Sequence, residues 1–179
     1  YSLANEMGVD LMHEQLSPFM FGRKTGIDVD GEVTGVLPST EWKRRYYKKP
    51  EQQKWYAGET ISLGIGQGYN NFTMLQVAHA LATLTNGGIK HKPHLTLATE
   101  NVLTRERAPL PLEASVDMGY QREHINVVLR AMQGVTTEGT STRVFAGAGY
   151  TSGGKTGTAQ AVTIGQKDRY DARKLEEHQ

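Results

Sequence analysis

The residues with the most readable chemistry are Ser152-Gly153-Gly154-Lys155-Thr156-Gly157-Thr158-Ala159-Gln160, where the Lys155 cation, the Thr156 hydroxyl and the bare Gly157 backbone stand side by side. Extended along a strand edge, such a set holds a carboxylate through charge and hydroxyl contacts. It also presents backbone N–H groups to a developing oxyanion. A second chemistry competes for the same letters, because Gly149 to Thr156 satisfies the phosphate-loop pattern G-x-x-x-x-G-K-[ST]. A phosphate loop must open a helix whose N-terminus faces the nucleotide. Here the next residues, Thr158 to Gly165, are rich in β-branched side chains and close on glycine, which reads as a strand. The short remainder after Thr156 also offers no room for the magnesium-binding strand of a nucleotide domain. A P-loop NTPase therefore ranks well behind the strand reading.

The elements that must position this tract are partly legible. Leu3, Met7 and Leu11 recur at helical spacing and Gly8 interrupts them, so two short helices or one kinked helix are expected, with Asp10 capping the second. Ile27 to Val33 alternates around Asp30-Gly31, a turn signal that predicts an extended excursion or small hairpin. The run from Trp42 to Trp55, leading to Gly64-Ile65-Gly66-Gln67-Gly68, reads as the longest irregular connection. Thr73-Met74-Leu75-Gln76 is a capping box, so a helix starts there. Its apolar face would carry Leu75, Ala78, Leu81 and Ala82, and Asn86-Gly87-Gly88 would end it. Pro93 to Pro111 reads as irregular. Ile125, Val128, Leu129 and Met132 predict a second amphipathic helix ending near Gly134, with short strands around His94–Leu97 and from Val144.

The chain has 179 residues, a formal net charge of +1 and no cysteine. That length supports one domain, and the near-balance of charge gives no global sign of nucleic-acid binding. Disulfides and thiolate metal sites are excluded. No run reaches the length of a membrane span. The first residue is Tyr1 and the last stretch is charged, which reads as an interior segment of a longer protein.

Taken together, Gly64-Ile65-Gly66-Gln67-Gly68, the capping box at Thr73 and Lys155-Thr156-Gly157-Thr158-Ala159-Gln160 resemble the transpeptidase domain of penicillin-binding proteins. Lys24-Thr25-Gly26-Ile27-Asp28, Gly35-Val36-Leu37-Pro38 and Trp55-Tyr56-Ala57-Gly58-Glu59 are similar to the elongation-specific class B branch. The resemblance covers nearly the whole chain. It implies an α+β fold, a mainly antiparallel sheet flanked by helices, with residues 1–179 an interior portion of a single transpeptidase domain. The nucleophilic serine and the middle motif would lie upstream of Tyr1, and the last sheet strands beyond Gln179. Acylation by this segment alone is not expected.

The implied reaction is two-step acyl transfer between peptidoglycan stem peptides, through a serine acyl-enzyme that β-lactams also form. By the same resemblance, Lys155 and Thr158 are catalytic residues, and Thr156, Gly157 and Thr158 bind substrate. Lys155 gives charge to the substrate carboxylate and the Thr156 and Thr158 hydroxyls bond it. The Thr158 N–H shares the oxyanion hole, and Gly157 leaves the backbone open to substrate. No cofactor or metal is implied. The implied partners are stem peptides, β-lactams and wall-elongation membrane proteins, with no nucleic acid. The implied setting is the periplasmic side of the bacterial inner (cytoplasmic) membrane. A non-catalytic peptidoglycan-binding relative is the alternative.

Other motifs read as structural. Lys24-Thr25-Gly26 repeats the triplet but leads into an acidic turn, and Ser152-Gly153-Gly154-Lys155 matches S-x-x-K by chance, since its lysine already opens the triplet. His91 and His94 lack a third metal ligand. Asp28-Val29-Asp30-Gly31 lacks the later acids of a calcium loop. The basic and aromatic run from Trp42 to Tyr56 reads as a solvated face.

Overall fold

In the computed structural model, which describes residues 1–157, the chain opens with helix α1 (Ser2–Leu16). Gly8 breaks α1 at φ 73°, ψ 164°, so the kinked-helix alternative holds. Asp10 does not cap it. Its carboxylate instead accepts from the N–H and hydroxyl of Thr40, both at 2.8 Å, thirty residues later. There it supplements Ser39, whose hydroxyl accepts from the Trp42 N–H at 2.9 Å to cap helix α2 (Thr40–Tyr46). Replacing Asp10 with Ala in the intact protein should cost about 1 kcal/mol, the usual worth of a cap. Faster hydrogen exchange confined to α2 is the expected readout.

The stretch expected to be irregular is helical. After α2 come α3 (Pro50–Gln53) and α4 (Ala57–Leu63). Three local features start these helices: the Ser39 cap, Pro50 in the first turn of α3, and Glu59 reaching back to the Tyr56 N–H at 2.8 Å. The last turn of α2 is basic, which suits the negative end of its dipole. Helices α1 and α4 lie against each other, with Ala4 on Gly64.

Helix α5 (Met74–Thr85) begins on the expected capping box: Thr73 accepts from the Gln76 N–H at 3.1 Å, and the Gln76 side chain accepts from the Thr73 N–H at 2.9 Å. It ends as expected, with Gly87 at φ 73°. The buried face differs from the expected one. Gln76, His79, Ala80 and Thr83 are buried, whereas Met74, Val77 and Leu81 are exposed. Three of the four buried residues are polar because each finds a partner inside. Gln76 reaches three backbone carbonyls, His79 Nε2 donates to the His91 carbonyl at 2.8 Å, and the Thr83 hydroxyl donates to the His79 carbonyl at 2.9 Å.

The described strands are all antiparallel. β1 (Ile89–Lys90) pairs with β4 (Val116–Asp117), and β2 (Ala98–Glu100) pairs with β3 (Arg107–Pro109) in register Ala98 to Pro109. A hairpin thus occupies part of the stretch expected to be irregular. Its turn is set by Asn101, whose side-chain oxygen accepts from the N–H groups of Leu103 and Thr104. His94–Leu97 is not a strand, and Val144 lies in helix α7 (Thr142–Phe145). The Asp30-Gly31 turn forms with Gly31 at φ 84°, but no hairpin follows, and Val36 bridges to Asn71 instead. Gly35 permits that bridge: at φ 61°, an added Cβ would sit 2.4 Å from the Asn71 carbonyl oxygen. Helices and antiparallel strands make the class α+β.

Candidate active site

Helix α6 (Arg122–Thr137) carries the tract that leads to Lys155. Its amphipathic pattern was legible, but it runs past Gly134 to Thr137. The Glu138 and Gly139 N–H groups then close onto the Gly134 carbonyl at 3.0 and 2.8 Å. The Ser141 N–H donates to the Val135 carbonyl at 3.0 Å, folding the following turn back onto the helix end. Short α7 continues from that turn.

The returning chain is fastened to the same helix end. The buried Thr136 hydroxyl lies 2.8 Å from the Ser152 carbonyl oxygen and 2.9 Å from that of Gln133. The Gly154 N–H donates to the Met132 carbonyl at 3.0 Å. Gly153 allows this approach, since a Cβ there would lie 3.1 Å from the backbone of Met132 and Gln133. A cavity of about 290 Å³ opens beside the seat, between Gln133, Thr136, Phe145, Tyr150 and Ser152.

Lys155, Thr156 and Gly157 emerge from this seat exposed to solvent. The Lys155 ammonium donates to the Thr156 carbonyl, and the Thr156 hydroxyl lies 3.2 Å from that of Thr140. Lys155–Gly157 form neither helix nor strand. A phosphate loop needs Lys155 and Thr156 in the first turn of a helix, and that turn is absent. Thr158, with its assigned N–H and hydroxyl, and the strand read from Thr158 to Gly165 lie outside the described residues. Sequence reasoning did not single out Thr136 or Thr140. The signal available was the hydroxyl-rich run Thr136-Thr137-Glu138-Gly139-Thr140, which follows a helical pattern with no apolar periodicity of its own.

The other triplet is structural, as its context implied. Thr25 is buried, and its N–H and hydroxyl both donate to Glu32 Oε1 at 2.6 Å, while the Gly26 N–H donates to Oε2 at 3.0 Å. Burial pushes the Glu32 pKa up, but the bonds from Thr25 and Gly26 and the nearby Lys24 charge outweigh it, and the net direction is down. Within this chain, then, the Thr-Gly pair of a Lys-Thr-Gly triplet binds a carboxylate.

Asp28 is engaged by protein groups: bonds from Thr96 and the Leu95 amide hold its pKa well below the usual carboxylate range. His94 Nδ1 donates to the Thr96 carbonyl at 3.0 Å. Among the described residues no three His, Cys, Asp or Glu side chains converge as metal ligands. No helix among them is long and apolar enough to cross a membrane.

Comparison with known proteins bears on the whole chain. The family model for the penicillin binding protein transpeptidase domain matches residues 1–176. The peptidoglycan D,D-transpeptidase MrdA of Escherichia coli is 36% identical over 182 residues, covering 99% of this chain and 28% of that protein. Penicillin-binding protein 2 (PBP2) of Pseudomonas aeruginosa, solved in complex with WCK 5153, superposes with a TM-score of 0.74 at 36% identity. That superposition covers 90% of this chain and 35% of that one. PBP2 of Helicobacter pylori, solved in complex with MreC, gives a TM-score of 0.69 at 27% identity over 89% of this chain and 28% of that one. The chain therefore spans about a third or less of the relatives it matches. With helices, antiparallel strands and the Lys155 tract falling in one order under a match that runs almost end to end, the chain belongs to the penicillin-binding protein transpeptidase family.

Proposed function

We propose that the protein containing this chain is a peptidoglycan D,D-transpeptidase of the elongation-specific class. Residues 1–179 form an interior portion of its transpeptidase domain and supply the substrate-binding tract at Lys155, Thr156 and Gly157. What carries the reading is this exposed triplet, seated on α6, in a chain 36% identical along 99% of its length to a D,D-transpeptidase. The serine acyl-enzyme forms on a residue outside this chain. Lys155 attracts the stem peptide's terminal carboxylate and the Thr156 hydroxyl donates to it. Thr158 adds a hydroxyl and an oxyanion donor.

The Glu32 cradle supports the chemistry, since a Thr-Gly pair beside a lysine already holds a carboxylate there. β-Lactams, which carry a similar carboxylate beside a strained carbonyl, acylate the same serine. The H. pylori PBP2–MreC complex supports a protein partner of this kind, and wall-elongation membrane proteins are the partners proposed. The setting proposed is the periplasmic side of the bacterial inner membrane.

The test is the rate of fluorescent-penicillin labelling of the intact protein against Lys155→Ala. Loss of one charge-assisted contact should slow acylation roughly 10- to 150-fold. Equal rates would remove Lys155 from this role, and an intact wild-type protein that never labels would make it a non-catalytic relative.

A further inference from the structure

We infer that Thr140 is a positioning residue for carboxylate recognition, its hydroxyl donating to that of Thr156 so that the Thr156 proton is turned toward the substrate. The inference rests on the transpeptidase reading above. The two oxygens lie 3.2 Å apart, and either can be the donor in the free protein. The ligand removes that freedom, because a carboxylate only accepts. Thr156 must then donate outward, and the lone pair it keeps is the one Thr140 can fill. The resulting chain, from Thr140 to Thr156 to carboxylate, is polarised in one direction, and each bond strengthens the next.

Two separate sets of anchors bring the hydroxyls together. Thr140 follows the turn closed by Glu138, Gly139 and Ser141 onto Gly134 and Val135. Thr156 follows the tract held at Ser152 and Gly154 by Thr136 and Met132. All four anchor points lie in the last two turns of α6, so one rigid element sets the spacing of both threonines. A hydroxyl placed in this way reaches the ligand already oriented, which is where positioning contributes to rate.

The experiment is a cycle in the full-length protein: the second-order rate of acylation by fluorescent penicillin for wild type, Thr140→Val, Thr140→Ser, Thr156→Val and the double Val variant. Thr140→Val should react about 3- to 10-fold more slowly, as expected for one neutral hydrogen bond. Thr140→Ser should recover most of the rate, and the double variant should be no slower than Thr156→Val alone. An unchanged rate in Thr140→Val, Thr140→Ser as slow as Thr140→Val, or effects that multiply in the double variant would each overturn the inference. Since Thr140 is exposed, the variants should fold, and Thr140→Ala, which also removes the hydroxyl, tests the same point if the valine variant does not. Failure of the wild type to label is a separate outcome, which overturns the transpeptidase reading itself.

Discussion

Replacing Gln76 with Glu should destabilise the domain by about 3–5 kcal/mol, although the two side chains have nearly the same shape. Gln76 is fully buried. The two N–H groups of its Nε2 are shared among the carbonyls of Met20, Arg23 and Thr34, at 3.1, 2.6 and 2.8 Å, while its Oε1 takes the Thr73 N–H. One amide thus ties the start of α5 to the 20–23 turn and to the strand-like segment at 34–36. A carboxylate would put an oxygen where those carbonyls need a donor, leaving them unpaired and facing negative charge in a site that excludes water. Gln76→Met, which keeps the volume and loses all four bonds, should cost a similar amount. Denaturant midpoints of the intact protein, with hydrogen exchange resolved to α5, are the measurement. A Glu variant as stable as wild type would show that shape, and not the amide, is what the site needs.

Glu59→Gln is expected to cost about 3 kcal/mol, and more than Lys43→Met. Lys43 is buried on α2, with a side chain 4% exposed. Its ammonium bonds the Glu59 carboxylate and the Lys54 carbonyl and lies 5.4–5.5 Å from the ring centres of Trp55, Tyr56 and Tyr69. Removing the counter-charge leaves that cation enclosed by rings, which attract it but do not neutralise it. Glu59 is better placed to lose its partner. It is 22% exposed and keeps bonds from the Tyr69 hydroxyl at 2.9 Å and the Tyr56 N–H at 2.8 Å. The double variant should therefore be more stable than the two single losses summed.

The same cluster sets a pH dependence. Burial raises the Glu59 pKa, but the bonds from Lys43, Tyr56 and Tyr69 and the Lys43 charge outweigh it, so the net direction is down. A carboxylate depressed in the folded state contributes stability that is present above its unfolded pKa of about 4.3 and is lost as pH falls through the folded value. Asp28 and Glu32 shift in the same direction. Acid unfolding should thus begin below about pH 4, and Glu59→Gln should flatten that part of the curve. Tyr69 moves the other way: burial and its bonds with Tyr47 and Glu59 hold its phenol protonated.

What the sequence determined by itself is short in range. The α5 capping box spans four residues, its glycine stop needs only a positive φ, and the α6 pattern repeats every turn, so each signal is complete within a few positions. The family was legible for a similar reason, since the motif order is a linear property. The tertiary structure decided which partners those elements meet. The buried face of α5 is polar because Gln76 finds carbonyls up to 56 residues away, and no periodicity encodes that. Asp10 leaves its own helix to cap α2, and Lys43 sits among rings instead of in solvent, because contacts distant in the chain outweigh local preference. The seat of the Lys155 tract was hidden in the same way. It depends on Thr136, Met132 and Gly153 meeting across two turns of chain, and the pairing of Thr140 with Thr156 exists only once both ends are fixed to α6.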